Sequence, residues 1–294
     1  MSEIRTYFES RFDNGYLMEF DFSQLEVVVL AYLSQDKQLI QDIVDGVDIH
    51  RVNAAKMFGI SEHLVTDSER KIAKGCTFQL QYGAGAASMA KTWDISVELA
   101  RKFIDAYYYR YPDVKVWQED NIASVYKTRY ISPMGEKTKA GNPQAYGELV
   151  LPTGRRLVFK EYDNKYARSY SIAPFLSIAP PVPTSFSPTE IKNYPVQALA
   201  TGDIVPMILG KLYRVLKSKR GETQRAVKMI NTVHDSVMFD VDESYRAGVY
   251  DMVMEVMLNT PKYLKKDFGI DFNVPINADC KCGKNWMEMV DYKP

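Results

Sequence analysis

Residues 66–83 read Thr66-Asp-Ser-Glu-Arg70-Lys-Ile-Ala-Lys74-Gly-Cys-Thr-Phe78-Gln-Leu-Gln-Tyr82-Gly83. The opening Thr66-x-x-Glu69 has the form of a capping box, in which a hydroxyl and a carboxylate each take a bond from an orphan amide at a helix start. The helix it predicts runs to about Tyr82, and Gly83 and Gly85 stop it. Arg70, Lys74, Phe78 and Tyr82 recur every four residues. Each such step turns the helix by about 400°, so the four side chains make one slowly drifting stripe. Two cations followed by two aromatics suit a ligand with phosphates at one end and a flat base at the other. Arginine supplies a bidentate fork and lysine a point charge, and an aromatic ring supplies a stacking surface. The same stripe also reads as Phe78 and Tyr82 anchoring a core while Arg70 and Lys74 snorkel to water.

Around that stretch lies a chain of 294 residues, 46% hydrophobic and 25% charged, with 37 basic against 37 acidic side chains. These proportions exclude a disordered tail and a collagen-like repeat. No apolar run approaches the roughly 20 residues of a membrane helix, and MSEIRTYFES has no apolar core, so neither a membrane nor secretion is expected. Three cysteines cannot build a disulfide framework and fit a reducing, cytoplasmic compartment. The zero net charge is unevenly distributed. Residues 1–50 hold ten acids and three bases, whereas residues 209–228 hold seven bases and one acid. Either block could be a solvated face. Together they also suit an acidic metal site and a separate polyanion track.

The spacing predicts a short strand over Tyr16–Phe20 that delivers Asp21, helical pattern over 23–45, a helix over about 96–110 and another over about 196–218. Segment 174–188 carries five prolines and reads as an extended loop. Residues 228–241 read as two strands joined by a tight turn at His234-Asp235. Asp21 and Asp235 are then two carboxylates at a strand end and a hairpin turn. Nucleotidyl transfer needs such carboxylates to hold two hard cations about 3.5–4 Å apart, although a lone turn aspartate usually serves only the turn. His234-Asp235-Ser236 is a poor hydrolase triad, because neighbours on a strand face opposite ways and no G-x-S-x-G elbow is present. Cys280 and Cys282 lack the spacing and partners of a zinc site.

In order and spacing these signals resemble one pattern, that of the family A DNA polymerases. Asp21-Phe-Ser-Gln-Leu-Glu26 is similar to motif A, Arg70-x3-Lys74-x3-Phe78-x3-Tyr82-Gly83 to motif B and Val233-His234-Asp235-Ser236 to motif C. Asp48-Ile-His50-Arg51, Asn193-x-Pro195-x-Gln197 and Gly283-x-Asn285-Trp286 agree as well, so the likeness spans roughly residues 15–290.

The resemblance implies an α+β fold. An antiparallel palm sheet would come from residues 1–44 and 126–294, a helical fingers insertion from 45–125, and an elaborated loop from about 132–190. It implies template-directed DNA synthesis from dNTPs on primer–template DNA. Asp21 and Asp235 would ligate two Mg²⁺ ions with the Phe22 carbonyl. Arg70, Lys74, His50 and Gln24 would hold the triphosphate, and Lys74 would protonate the leaving pyrophosphate. Phe78 would pack on the sugar and base, and Tyr82 would flank the nascent pair and contact Glu26. Gln197 and Asn193 would approach the primer–template, and His234 the primer end. Catalysis would thus rest on Asp21, Asp235 and Lys74.

The departures are informative. Ser236 stands where the family's DNA enzymes have a second acid, which leans towards the single-subunit RNA polymerases. Glu26, which in the family blocks a ribose 2′-hydroxyl, and the aromatic Phe78 both point back to DNA. The family's arginine just before Asn193 is missing from Thr189–Lys192. Only 20 residues precede Asp21, where the family places an exonuclease-type domain, the thumb and part of the palm. The expectation is a split polymerase subunit lacking thumb and exonuclease, from a bacteriophage and so acting in the infected host's cytoplasm, with a second polypeptide supplying both. A non-catalytic DNA-binding or assembly subunit that keeps the polymerase form is the alternative from another class.

Overall fold

The computed structural model describes residues 3–165, 182–219, 221 and 225–294. In chain order, strand β1 (Gly15–Phe22) leads into helices α1 (Leu25–Ser34), α2 (Lys37–Val44), α3 (Ile49–Phe58), α4 (Asp67–Gln81), α5 (Ala86–Trp93), α6 (Val97–Arg110) and α7 (Pro112–Lys127). Strands β2 (Tyr130–Ile131), β3 (Ala145–Val150), β4 (Arg156–Lys160), β5 (Tyr162–Asp163) and β6 (Thr184–Ser185) follow. Helix α8 (Pro188–Gln197) runs through a π-helical stretch, Ala198–Ile204, into α9 (Val205–Ser218). The chain closes with β7 (Val227–Val233), β8 (Ser236–Asp242), α10 (Arg246–Leu258), α11 (Thr260–Phe268), β9 (Ala278–Gly283) and β10 (Val290–Asp291). Two compact units emerge, Met1–Val29 with Gln197–Pro294, and Leu30–Val196.

The first unit is built on an antiparallel sheet of order β10-β9-β1-β8-β7. Side chains alternate along β1, so Met18, Phe20 and Phe22 face one way and are buried, while Glu19 and Asp21 face the other. The buried face meets α10, whose Val249, Met252, Val253, Val256 and Met257 are its apolar stripe. Phe20 and Phe239 meet edge to face at 5.7 Å. Burying rings of this kind contributes about 2–3 kcal/mol each, enough to determine which face of the sheet is closed and which stays open.

In the second unit α4 starts as its residues predict. Thr66 Oγ1 accepts from the Glu69 amide, and Glu69 Oε2 accepts from the Thr66 amide at 2.8 Å. The expected helical run 23–45 is two helices. Gln35 takes a left-handed φ of 52°, and Asp36 then caps α2 by accepting from the Leu39 amide at 2.9 Å. The second oxygen of Asp36 accepts from the Asp113 amide, also at 2.9 Å, which ties the break to the start of α7. Buried Asp42 accepts both arms of Arg110 and the Tyr111 hydroxyl, so its charge is neutralised on α6. A three-stranded sheet β2-β3-β4 closes over Val125, Phe159, Phe186 and Ile191, and it occupies much of the region that reads as elaborated. Most of the proline-rich segment, and Arg220 and Glu222 of the basic block, lie outside the described residues. The three cysteines are buried and unpaired, as their number and spacing lead one to expect.

Candidate active site

Among the described residues, each unit carries a polar cluster that its own packing does not explain. In the first unit the cluster lies on the open face of the sheet. Antiparallel register sets Ser236 opposite Asp21 on one side and Asp279 opposite it on the other. Asp235 sits in the two-residue turn between β7 and β8, whose other residue, His234, has a φ of 54°. A non-glycine residue there costs on the order of 1 kcal/mol. The Phe22 amide donates to the Asp235 carbonyl at 3.4 Å, which fastens the turn to β1. Directly after β1, Gln24 is left-handed too (φ 55°), and its carbonyl accepts from the Val27 and Val28 amides that begin α1.

The electrostatics of this face are unfavourable as it stands. The Asp21 carboxyl is pushed up to about 7, first by burial, then by the charge and hydrogen bond of Asp235, then by Glu19 and Asp279. Although its side chain reaches water on one side, like charges gathered on a half-desolvated face favour a retained proton. Asp240, further along the same face, is the contrast. It is buried, but Arg11 Nε donates to it at 2.7 Å and Ser10 Oγ at 2.6 Å, so it is a satisfied structural group. No such cation serves Asp21 or Asp235 among the described residues. Glu19, Asp21, Asp279, Lys281 and Tyr292 line an open cavity of about 610 Å³.

Among the described residues no three or more His, Cys, Asp or Glu side chains form a cage for a metal ion. The facing pair Asp21 and Asp235 nonetheless fits a hard divalent cation of the kind that takes one or two carboxylates. The rest of its shell would come from water, phosphate or a main-chain oxygen. Phe22 buries its ring, so only its carbonyl is available for such a bond.

The second cluster lies along α3 and α4. Asp48 caps α3 by accepting from the Arg51 amide at 3.1 Å, and its other oxygen accepts from Arg70 Nε at 2.7 Å. Burial alone would raise the Asp48 carboxyl, but Arg70 and the Arg51 amide outweigh it and hold it below its ordinary value. Lys74, one turn on from Arg70, is exposed and has no carboxylate partner among the described residues. Its Nζ sits 5.8 Å from the Phe78 ring centroid. His50 is 3% exposed, its ring lies 5.9 Å from that of Phe78, and neither ring nitrogen has a hydrogen-bond partner among the described residues. Burial, then Lys74 and Arg70, lower His50 to about 4, so it is neutral at physiological pH. A lysine without a carboxylate partner among the described residues, a half-engaged arginine and an unsatisfied buried imidazole are donors that could receive an anion.

Local packing determines where α4 lies. A Cβ on Gly75 would come 1.7 Å from Trp93 Cζ2, so only glycine admits α5 this closely. At the end of α4, Gly83 has a φ of 73° and its Cβ would meet the Thr189 Cα at 2.8 Å. Tyr82 caps the helix and is half-buried. Glu26 lies in the first turn of α1, half-buried. Asn193 is buried within α8, Gln197 ends that helix half-buried with its carbonyl accepting from Thr201, and His234 is exposed.

Each unit therefore gathers part of the expected set, Asp21 with Asp235 in one and Arg70 with Lys74, His50 and Phe78 in the other. Two carboxylates escaped the sequence reading. Glu19 carries a usable signal, since it stands two residues before Asp21 on a strand and so shares its face. Asp279 carries none, because it joins through strand pairing across more than 250 residues of chain. Ser236 is buried, and its hydroxyl lies 3.1 Å from the Val233 carbonyl and 3.3 Å from Glu19 Oε1, able to donate to either.

The family model described as DNA polymerase family A matches residues 1–288. DNA polymerase I of Streptococcus pneumoniae strain R6 is 26% identical over 286 residues, which is 97% of this chain and 27% of that protein. DNA polymerase I of Borreliella burgdorferi is 28% identical over 289 residues, 98% of this chain and 26% of that protein. The chain thus spans about a quarter of the length of these curated relatives. A solved structure, the POL domain of Pol1 from M. smegmatis in complex with DNA primer-template and dNTP, superposes with a TM-score of 0.68 at 24% identity. It covers 96% of this chain and 42% of that one, a likeness of fold. No helix among the described residues is long and apolar enough to cross a membrane.

Proposed function

The chain belongs to DNA polymerase family A, and from that premise we propose that it adds nucleotides from dNTPs to the 3′-hydroxyl of a primer under template direction. The observation that carries this is the Asp21–Asp235 pair, two carboxylates turned towards one another on the open face of the sheet without a cation among the described residues to neutralise them. Two Mg²⁺ ions held by this pair and the Phe22 carbonyl would activate the primer hydroxyl and stabilise the departing pyrophosphate. Arg70, held by Asp48, presents its remaining N–H groups to a phosphate. Lys74 adds a mobile charge and can supply the proton that the leaving pyrophosphate takes up. His50, neutral and unsatisfied, can donate to a phosphate oxygen without paying to become charged. Gln24 completes the triphosphate contacts, while Phe78 and Tyr82 offer surfaces to the sugar and base. Gln197, Asn193 and His234 are proposed contacts to the primer–template.

Glu26 is the proposed sugar gate. A carboxylate packed below the sugar leaves a 2′-hydroxyl without room or a favourable partner. Glu26→Ala should raise the ribonucleotide share of kcat/KM by about 10²-fold, and unchanged sugar selectivity in single-nucleotide insertion would remove the assignment. Ser236 alone favours an RNA-synthesising reading, and that measurement also separates the two.

We further propose that a second polypeptide supplies the duplex grip of a thumb and an exonuclease, with this chain as the catalytic part of a split polymerase. A primer-extension assay on the chain alone, and on the chain mixed with the product of the neighbouring gene, tests both statements. Mg²⁺-dependent insertion by the chain alone with long products only in the mixture is the expected result. Long products from the chain alone would remove the partner, and no insertion under either condition would favour a non-catalytic subunit.

A further inference from the structure

Helices α9 and α11 both pack on α10, which covers the apolar side of the main sheet. Their outer surface therefore lies on the helical layer, on the opposite side of the sheet from Asp21 and Asp235. Lys211 joins the two helices. Its Nζ is 2.6 Å from Asp267 Oδ2 and 4.8 Å from the Tyr263 ring centroid, and its side chain is only 15% exposed. Arg214 and Lys266 lie close enough to act on the same carboxylate, which Lys211 above all holds below its ordinary value. One aspartate thus answers three cations. Lys265 is paired with Asp271 at 2.6 Å. Arg214, Lys217, Lys219, Lys262 and Lys266 have no carboxylate within ion-pair distance among the described residues, and Tyr213 stands 55% exposed with Lys217 5.8 Å from its ring centroid.

Helix dipoles explain part of this. Lys217, Lys219 and Lys266 sit at or just past the last turns of their helices, where a cation is favoured. Arg214 and Lys262 lie before those last turns and gain little from them. Cations crowded on one face repel one another unless a polyanion relieves them.

We propose that this α9–α11 face binds the phosphate backbone of duplex DNA outside the catalytic site. The chemistry is that of phosphate contact without base readout. Arg214 offers a fork, Lys217, Lys262 and Lys266 offer point charges, and Tyr213 offers an apolar edge to the sugar. The inference rests on the reading of the chain as a DNA-synthesising enzyme, for which a second hold on the duplex would slow dissociation between additions.

The test is fluorescence anisotropy of a labelled 30-base-pair duplex titrated with the full chain and with Arg214→Glu/Lys262→Glu/Lys266→Glu over a range of NaCl concentrations. The variant is expected to bind about 10²-fold more weakly at low salt, with the slope of log affinity against log salt reduced by roughly three. Its rate of single-nucleotide insertion at saturating primer–template should stay within about twofold of the parent. The charge-conserving variant Arg214→Lys/Lys262→Arg/Lys266→Arg should keep both affinity and slope, which separates charge from loss of fold. Equal affinity and slope in the parent and the charge-reversed variant would overturn the proposal. So would unchanged duplex binding with lost retention of polyglutamate, an outcome that would assign the face to an acidic protein. A chain that binds duplex through this face yet inserts no nucleotide would sustain the face and reject the polymerase reading, so the two can fail separately.

Discussion

Asp21→Asn or Asp235→Asn should lower Mg²⁺-dependent nucleotide incorporation by about a thousandfold or more, with little change in the fold. Asparagine keeps the shape of the side chain and removes the charge a divalent ion needs. Asp21→Asn should act on stability in the opposite sense. Folded Asp21 keeps its proton up to about 7, whereas an ordinary aspartate releases it near 3.8. The advantage this gives the folded state is full below 3.8 and is lost as the pH rises through 7. Above that pH the metal-free parent carries an uncompensated carboxylate that Asp21→Asn does not. After allowing for the solvent that reaches Asp21, the variant should be more stable by about 1 kcal/mol without divalent ions, a shift of a few degrees in Tm. Added Mg²⁺ should raise the Tm of the parent and leave Asp21→Asn nearly unmoved. Equal stabilisation of both proteins by Mg²⁺, together with undiminished incorporation, would place the reaction elsewhere.

The second large effect is expected on α4. Lys74→Ala should reduce the rate of insertion about 10²–10³-fold with the smaller change in the KM for dNTP, because Lys74 has no carboxylate partner to lose among the described residues. Arg70→Ala should act chiefly on KM. Arg70→Lys should rescue it poorly, since an ammonium cannot hold Asp48 and a phosphate through a rigid fork. Single-turnover kinetics separate the two roles, and equal losses in KM from Lys74→Ala and Arg70→Ala would merge them into one binding contribution. His50 adds a pH signature. Its value is lowered from 6.5 to about 4 by burial and by the two cations. No inflection from this residue is therefore expected near 6.5 in the pH–rate profile. The stability that neutral His50 contributes is full above 6.5 and disappears as the pH falls through about 4.

Much of this was legible in the residues because it is local. The capping box at Thr66 and Glu69, the stripe from Arg70 to Tyr82, the strand before Asp21 and the turn at His234-Asp235 are all decided within a few residues. There, side-chain hydrogen bonds and the periods of 3.6 and 2 act directly. The break at Gln35 was not legible, since Asp36 is committed by a bond to Asp113 that lies far along the chain.

The order of residues settles the kind of chemistry each segment can carry and the family pattern its motifs follow. Tertiary structure alone decided which groups share a field. Strand register placed Asp279 beside Asp21, burial left His50 neutral and unsatisfied, Asp48 took hold of Arg70, and Trp93 closed over Gly75. The reason is physical: spacing along a chain determines which side chains share a face, but charge and desolvation act through space. They are settled only once distant strands and helices have packed.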